Sequence, residues 1–587
     1  MKDKQTTFFW IIIGLLCVNL LVNNHSITLW DEDEAAYAGF AERMYQGGAS
    51  FVNPEYKWSI IHRKAPLHFW TITSSYYVFG VNEFAVRFPG ALAILLACLS
   101  MFFMGRTVFG ESMARWAAIV LSTSIVLPIM GKVGLTDATL LFSQTVAVLA
   151  LLNFVLDPKW KWLLLLWVGI AVGVLTKGPP ILIVTGGLWL WLAVFHPQRK
   201  NLIKTHPWFF GLLAMLPFGW WCYLSYLENY AEWQANTLDL PFEEWWQTEI
   251  HGRKEHLLPF LWDWYVLRRV GGGVLGQTAP PGYHLGILSA AFLTWLPFVF
   301  AGIWHQFKQF FKKERSITTI SLMGWLMFSW LFYELMASKL PSYSMGAQPA
   351  IALVIAQQLH LWKTEEVYPY RKLLLLGAGL YILIFSILVL GLPIAGYYFL
   401  GEIALWRTIL FSVSLAAALI YLISKLKQSR EQAVKAFAYV GAVLMLGLWL
   451  FIAPIAEQTP IKPFKEISEI AIELDKQFPS KGKSTTPIYI LGPDLKQSKI
   501  SLIFYLETSF KTCEEILWDK WVPLIKRFVS KEPMVLILGT VAEKPINTIL
   551  KENGIKEGLS GVKTIRVDVW SLDDQLKSHP FVILTNQ

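Results

Sequence analysis

From residue 8 to residue 454 the chain is a succession of apolar runs, many of them close to the ~20 residues that a helix needs to cross a bilayer. The runs lie at 8–24, 84–105, 116–131, 137–156, 161–176, 180–195, 208–227, 284–304, 317–336, 345–362, 373–399, 404–424 and 436–454, which predicts about thirteen spanning helices. In lipid a helix satisfies its own backbone, so this pattern leaves few alternatives to a helical membrane protein. With 55% of 587 residues hydrophobic and only 16% charged, the composition excludes a soluble globular chain of this length. The first run resembles a signal peptide but has no small-x-small cleavage site, and it reads as a retained first span.

The formal charge of +9 could suggest nucleic acid, yet the cations fall in small clusters between apolar runs and form no basic stripe. They report topology. With the N-terminus in the cytoplasm, Arg106/Arg115, Lys159/Lys161, Arg199/Lys200/Lys204, Lys308/Lys312/Lys313/Arg315, Lys363/Arg371/Lys372 and Lys425/Lys427/Arg430/Lys435 all fall on one side, as the positive-inside rule requires. The opposite face then carries two long loops, 25–83 and 228–283, the turns at Lys132, Lys177 and Lys339, and the C-terminal tail. Cys17, Cys98, Cys222 and Cys513 are widely scattered, so neither a disulfide framework nor CxxC metal spacing is visible.

After Pro454 the apolar runs stop. Strand-like "PIYILGP", "MVLILGT" and "KTIRVDVWSL" alternate with the helix-like "PFKEISEIAIELDKQF". This predicts a membrane domain over 1–454 and a soluble α/β domain over 455–587, outside the membrane. "LGPDL" does not extend to GxGxxG, and a packing or partner-recruiting role suits this second domain better than a nucleotide site.

The chemistry-bearing residues sit on the outer face. "TLWDEDEAAYAGFAERM" sets Asp31, Glu32, Asp33 and Glu34 ahead of an amphipathic pattern whose Tyr37, Phe40, Ala41 and Met44 share one stripe. Capping a helix and complementing its dipole explain one or two such acids, not four. The loop continues into "HRKAPLHFW", whose His62, Arg63 and Lys64 run against the positive-inside trend and suit an anionic ligand as well as an interfacial anchor. Lys132 with Asp137, Lys177 in "LTKGPP", Lys339 with Tyr343 in "SKLPSYSMGAQP", and His251, Arg253, Lys254 and His256 in "EIHGRKEH" repeat the theme from other outer segments.

In order along the chain, "LWDEDEAAYAGFAERM", "KAPLHFW", "FGVNEFAVRFPGALA", "LTDATLLF", "GVLTKGP" and "SKLPSY" resemble the ArnT-like and protein O-mannosyltransferase-like membrane glycosyltransferases of the GT-C fold, over roughly residues 28–350. The resemblance implies a multi-span enzyme of the bacterial inner membrane whose site opens to the periplasm and whose donor is a polyprenyl-phosphate-linked sugar. It implies that Asp33 is the first-loop catalytic aspartate, with Glu34 beside it and Tyr37 following. Lys64 matches the lysine of a Glu-Lys-Pro-Pro segment, Asp137 a second acidic position, Lys177 a Thr-Lys-Gly lysine, and Lys339 with Tyr343 a Lys-Leu-Pro-x-Tyr element. His251 aligns loosely with a histidine of the second loop.

The departures matter. Where the family has the glutamate before the lysine, this chain has Arg63, and the first following proline is Ala65; the arginine often found before the tyrosine is Ala36. In some relatives that glutamate and the loop histidine hold a divalent metal, so a metal stays open here and no cofactor is certain.

The expected reaction is inverting transfer of the sugar to a lipid A or other glycolipid, protein or glycan acceptor. Asp33 would act as base, aided by Glu34 or Asp137. Arg63, Lys64, Lys339, Tyr343 and Arg253 would bind the leaving phosphate, with Lys177, Tyr37 and His251 as further pocket groups. A secondary transporter or a lipid-binding protein for an anionic solute is the alternative, although transporters place such groups near the bilayer midplane, not at outer span ends.

Overall fold

The computed structural model describes residues 2–25, 27–30, 33–54, 64–237, 278–457, 464–476, 488–491, 502, 505, 513–516, 521–530, 534–567, 570–571, 577–578 and 581–585. Among them, eight helices are long and apolar enough to cross a membrane: Lys4–Leu21, Glu83–Phe109, Thr136–Leu156, Trp160–Lys177, Pro207–Glu228, Arg371–Tyr398, Ala404–Gln428 and Arg430–Ile455. A ninth arises if Tyr283–Ala291 and Leu293–Phe310, bent by 83°, count as one span, and Pro180–Phe195 is a shorter apolar helix. The chain is a multi-pass membrane protein.

The difference from thirteen runs has local causes. The run at 116–131 breaks between helices Glu111–Ser122 and Val126–Met130, where the Thr123 hydroxyl donates to the Ile119 carbonyl (2.7 Å) and the Ser124 hydroxyl to Leu121 (2.8 Å). Such hydroxyls compete with the backbone ladder and loosen a helix. The run at 345–362 forms a helix of only 17 residues, Gln348–Thr364.

Helix α1 (Lys2–Leu21) leads into the first loop, which carries α2 (Asp33–Tyr45) and α3 (Leu67–Phe79) ahead of α4 (Glu83–Phe103). The predicted stripe of α2 is real: Tyr37, Phe40, Ala41 and Met44 are all buried. Phe69, Ile72 and Tyr76 of α3 pack against it, and the Tyr76 and Thr73 hydroxyls donate to the Ala38 and Ala41 carbonyls, each at 3.2 Å. Asn82 caps α4 by accepting from the Ala85 N–H (2.9 Å). The far side of the loop is tied to helix Pro207–Thr237, whose Glu228 accepts from Ser50 Oγ (2.8 Å) and Asn53 Nδ2 (2.7 Å).

Helices Thr136–Leu156 and Trp160–Lys177 form an antiparallel pair joined by a turn at 157–159. Their close approach depends on small residues, as it does between helices in lipid generally. A Cβ on Gly169 would lie 3.1 Å from Ala147 Cβ, and one on Gly173 3.0 Å from Ser143 Oγ. The pairing brings the first turn of one helix beside the last turn of the other.

The C-terminal residues form a five-stranded sheet in the order β2-β1-β3-β7-β4, with β1 (Ile488–Leu491) parallel to β2 (Cys513–Ile516) and β3 (Val535–Leu538). Strand β4 (Lys563–Val567) pairs antiparallel with β7 (Phe581–Thr585), which is antiparallel to β3; β5 (Trp570–Ser571) and β6 (Lys577–Ser578) form a separate pair. Successive side chains point to opposite faces. Ile488, Ile490, Val535, Ile537 and Ile583 belong to one apolar core that also contains Tyr37, Phe40, Phe69 and Tyr76 of the first loop. Tyr489, Leu491, Leu536, Leu538, Val582 and Leu584 instead meet helices Trp521–Val529 and Thr540–Glu552.

Candidate active site

Asp33 opens α2 and stands 63% exposed, while Lys64, just before α3, is 29% exposed and places Nζ 3.1 Å from Asp33 Oδ1. The same ammonium donates to the Tyr37 hydroxyl and lies over the Tyr37 ring, 4.5 Å from its centroid. Tyr37 can serve as this platform because it lies one helical turn beyond Asp33, and its ring is locked edge-on by His68 (5.3 Å) and Phe69 (5.5 Å). Burial pulls the Lys64 pKa below the ordinary lysine value; Asp33 partly restores it, and Lys177 lowers it further.

A second ion pair completes the cluster. Asp137, buried in the first turn of its helix, receives Lys177 Nζ at 2.7 Å from the last turn of the neighbouring helix. Each charge suits its helix end, a carboxylate at the positive N-terminus and an ammonium at the negative C-terminus. Gly178, at φ 74°, takes a positive-φ conformation open to glycine and stops the helix directly after Lys177. Lys64 feels the charges of both Asp137 and Lys177, so the two pairs lie within electrostatic reach of each other.

Glu34 has another job. It is 1% exposed and accepts four hydrogen bonds: from Arg87 Nε (2.9 Å) and Nη2 (3.1 Å), and from the backbone N–H groups of Trp30 and Gly134, both at 2.7 Å. A carboxylate has about four lone-pair sites, and all are taken. Beside the catalytic part expected of it, Glu34 thus ties the first loop to α4 and to the Gly134 turn. Arg87 is equally committed, its remaining donors going to the carbonyls of Asn24 (3.1 Å), Ile27 (2.6 Å) and Thr28 (3.0 Å). Burial pushes the Glu34 pKa up, but the Arg87 charge and these four bonds outweigh it and hold the carboxyl below its usual value.

The peptide of Gly134 is shared by all three segments. Its N–H goes to Glu34, and its carbonyl accepts from His68 Nε2 at 2.9 Å. Because a carbonyl only accepts, His68 is the Nε2–H tautomer. Burial holds its pKa down to about 4. The rivet thus joins the start of α2, the start of α3 and the turn that leads to Asp137.

Lys339 and Tyr343 lie in a different described cluster. Lys339 Nζ donates to the Met336 carbonyl (2.8 Å), Tyr343 packs on Tyr333 (5.6 Å), and the turn is held by His284 Nε2 on the Leu340 carbonyl (3.1 Å) and by Glu334, which accepts from the His284 N–H (3.0 Å). The segment of Lys339 and Tyr343 packs on the helix that carries Asp137, where Gly346 abuts Gln144, about 10 Å along the axis from Asp137. Lys132 is turned away, donating to the Val22 carbonyl and lying over Trp449. Arg63, Arg253 and His251 lie outside the described residues, and with Arg63 and His251 goes any test of a metal at those positions. Among the described residues no group of three His, Cys, Asp or Glu side chains converges.

Arg87, His68 and Gly134, which tie these segments together, were not singled out in the sequence. One signal existed for Arg87, since a lone arginine inside an apolar spanning run must have a buried partner.

A family model described as dolichyl-phosphate-mannose-protein mannosyltransferase matches residues 63–223. The chain is 27% identical over 353 residues to an undecaprenyl phosphate-alpha-4-amino-4-deoxy-L-arabinose arabinosyl transferase of Pseudomonas fluorescens, covering 60% of this chain and 59% of that protein. It is 26% identical over 368 residues to the corresponding transferase of Pseudomonas aeruginosa, covering 61% of this chain and 60% of the relative. The match thus spans about three-fifths of the length of these curated relatives. The crystal structure of ArnT from Cupriavidus metallidurans bound to undecaprenyl phosphate superposes with a TM-score of 0.70 at 16% identity, over 99% of this chain and 98% of that one. The chain is ArnT-like in fold, in agreement with the resemblance carried by its ordered motifs.

Proposed function

We propose that this chain is a membrane glycosyltransferase that moves a sugar from a polyprenyl-phosphate carrier to a hydroxyl or similar acceptor. The reading places the N-terminus in the cytoplasm, and the first loop, the second loop and residues 455–587 on the outer face of the inner membrane. The observation that carries it is the Asp33–Lys64 pair, 3.1 Å apart and backed by Asp137–Lys177, on an otherwise apolar, multi-span fold.

The chemistry follows from that pair. Lys64 holds the Asp33 carboxylate through the ion pair while the site is empty. An arriving phosphate competes for the ammonium and frees the carboxylate to take the acceptor proton. The acceptor oxygen then attacks the anomeric carbon as the carbon–phosphate-oxygen bond breaks, and the electron pair leaves with the polyprenyl phosphate. The phosphate gains charge at that moment, and Lys64, with Arg63, is the group to neutralise it. One in-line displacement inverts the anomeric centre. Asp137–Lys177 supports the field around Lys64. Lys339 and Tyr343 are further candidates for the donor phosphate.

A prenyl tail explains why such chemistry belongs at a bilayer, since each buried CH₂ contributes about 0.8 kcal/mol. The relatives named for undecaprenyl-phosphate aminoarabinose transfer support a donor of this class. Purified protein supplied with an undecaprenyl-phosphate sugar should release undecaprenyl phosphate. Mass spectrometry of envelope glycolipids and exported proteins, from cells with and without the chain, should reveal one lost sugar increment and so identify the acceptor as lipid, protein or glycan. Vesicle uptake of an anionic solute without donor turnover would overturn the assignment.

A further inference from the structure

We infer that Tyr505, carried by the C-terminal sheet-bearing segment, is a positioning residue for Asp33, so that this segment is a working part of the site. The inference deepens the glycosyl-transfer reading and rests on it for its kinetic arm.

The Tyr505 hydroxyl accepts from the backbone N–H of Leu29 at 2.8 Å and donates to Glu83 Oε1 at 3.2 Å, both within a buried environment. Those partners lie 476 and 422 residues away in sequence. Leu29 is four residues before Asp33, in the strand of chain that delivers the aspartate to its helix. Several neighbouring peptides there are held as well. Arg87 holds the carbonyls of Asn24, Ile27 and Thr28, Glu34 holds the Trp30 N–H, and the Trp30 carbonyl accepts from Ala35 N–H at 3.1 Å. Arg87 and Glu34 come from the first loop and α4. Tyr505 brings the C-terminal segment into this frame.

The hydroxyl arrives with an apolar foundation. Leu502 and Tyr505 belong to the core that unites α2 and α3 with one face of the sheet. Burial and the nearby Glu83 carboxylate hold the phenol far above its ordinary pKa, so it remains a donor at any working pH. The sheet thus sets the height of α2 through packing, and Tyr505 sets the register of the segment entering it. Since Lys64 is delivered by the segment just before α3 and not by residues 27–34, loss of the Tyr505 bonds should loosen Asp33 and spare donor binding.

The test uses the purified full-length protein, with undecaprenyl-phosphate sugar as donor, and hydrogen exchange read by mass spectrometry. Tyr505→Phe is expected to lower kcat by about tenfold, the scale of one lost buried hydrogen bond, with donor KM within about twofold of wild type. Amide exchange over 27–34 should quicken while exchange in helix Thr136–Leu156 stays unchanged. Glu83→Gln retains an oxygen acceptor and should keep most activity, whereas Glu83→Leu should repeat Tyr505→Phe. Wild-type kcat and wild-type exchange in Tyr505→Phe would overturn the inference, as would faster exchange throughout the chain, which marks general unfolding. Absence of turnover in the wild type would instead overturn the glycosyl-transfer reading, and the exchange arm would still decide the role of Tyr505.

Discussion

Arg87 and Glu34 form a closed buried pair in which all five guanidinium donors and all four carboxylate acceptor sites are used within the protein. The cost of burying two charges is offset only when geometry is this complete. Removing one partner strands the other. Glu34→Gln or Arg87→Met should each lower stability by about 3–5 kcal/mol, and the double variant should recover a large part. Thermal unfolding in detergent reads this directly. A Glu34→Gln protein with wild-type Tm and no turnover would assign Glu34 to the reacting groups alone.

The Gly134 peptide can serve three segments because nothing projects from its α-carbon. A Cβ there would lie 2.5 Å from Val86 Cγ1 and 3.3 Å from Glu34 Cγ. Gly134→Ala should therefore cost about 1–3 kcal/mol by overpacking. Val86→Ala removes the closest atom, so the pair Gly134→Ala/Val86→Ala should regain stability relative to Gly134→Ala alone. Denaturation midpoints of the two variants decide it.

His68 predicts a pH effect of known sign. Its folded-state pKa, held at about 4 by burial, lies below the ~6.5 of an unfolded histidine. Between those values the unfolded chain takes up a proton that the folded chain refuses, so the stability is fully present above about 6.5 and is lost as pH falls toward 4. The total is on the order of 3 kcal/mol. Glu34, held below its usual value, pushes in the same direction at lower pH. His68→Gln keeps a donor for the Gly134 carbonyl without titrating, and its Tm should fall less than that of wild type between pH 7.5 and 5. Parallel falls would remove His68 as the cause.

Much of this site was legible because its parts are local. Asp33 and Tyr37 are one turn apart on a helix that its own stripe announces, and Asp137 and Lys177 each sit where a helix end favours their charge. The pairing of Glu34 was not legible for a physical reason: two adjacent carboxylates look alike in a sequence, and only the fold decides which one meets a guanidinium 53 residues away. Gly134 and Tyr505 carry no local sign at all, since their roles exist only after distant segments meet. The same limit applies to the spans, where composition shows apolar runs but not that Thr123 and Ser124 would interrupt one.

The account stands on Asp33 taking the acceptor proton while Lys64 holds the phosphate. Steady-state turnover of an undecaprenyl-phosphate sugar by purified Asp33→Asn, against wild type and Lys64→Met, tests both assignments at once. Asp33→Asn should lose on the order of 10²–10⁴ in kcat with little change in donor KM, and Lys64→Met should also raise donor KM. Near-normal turnover by Asp33→Asn would contradict the account.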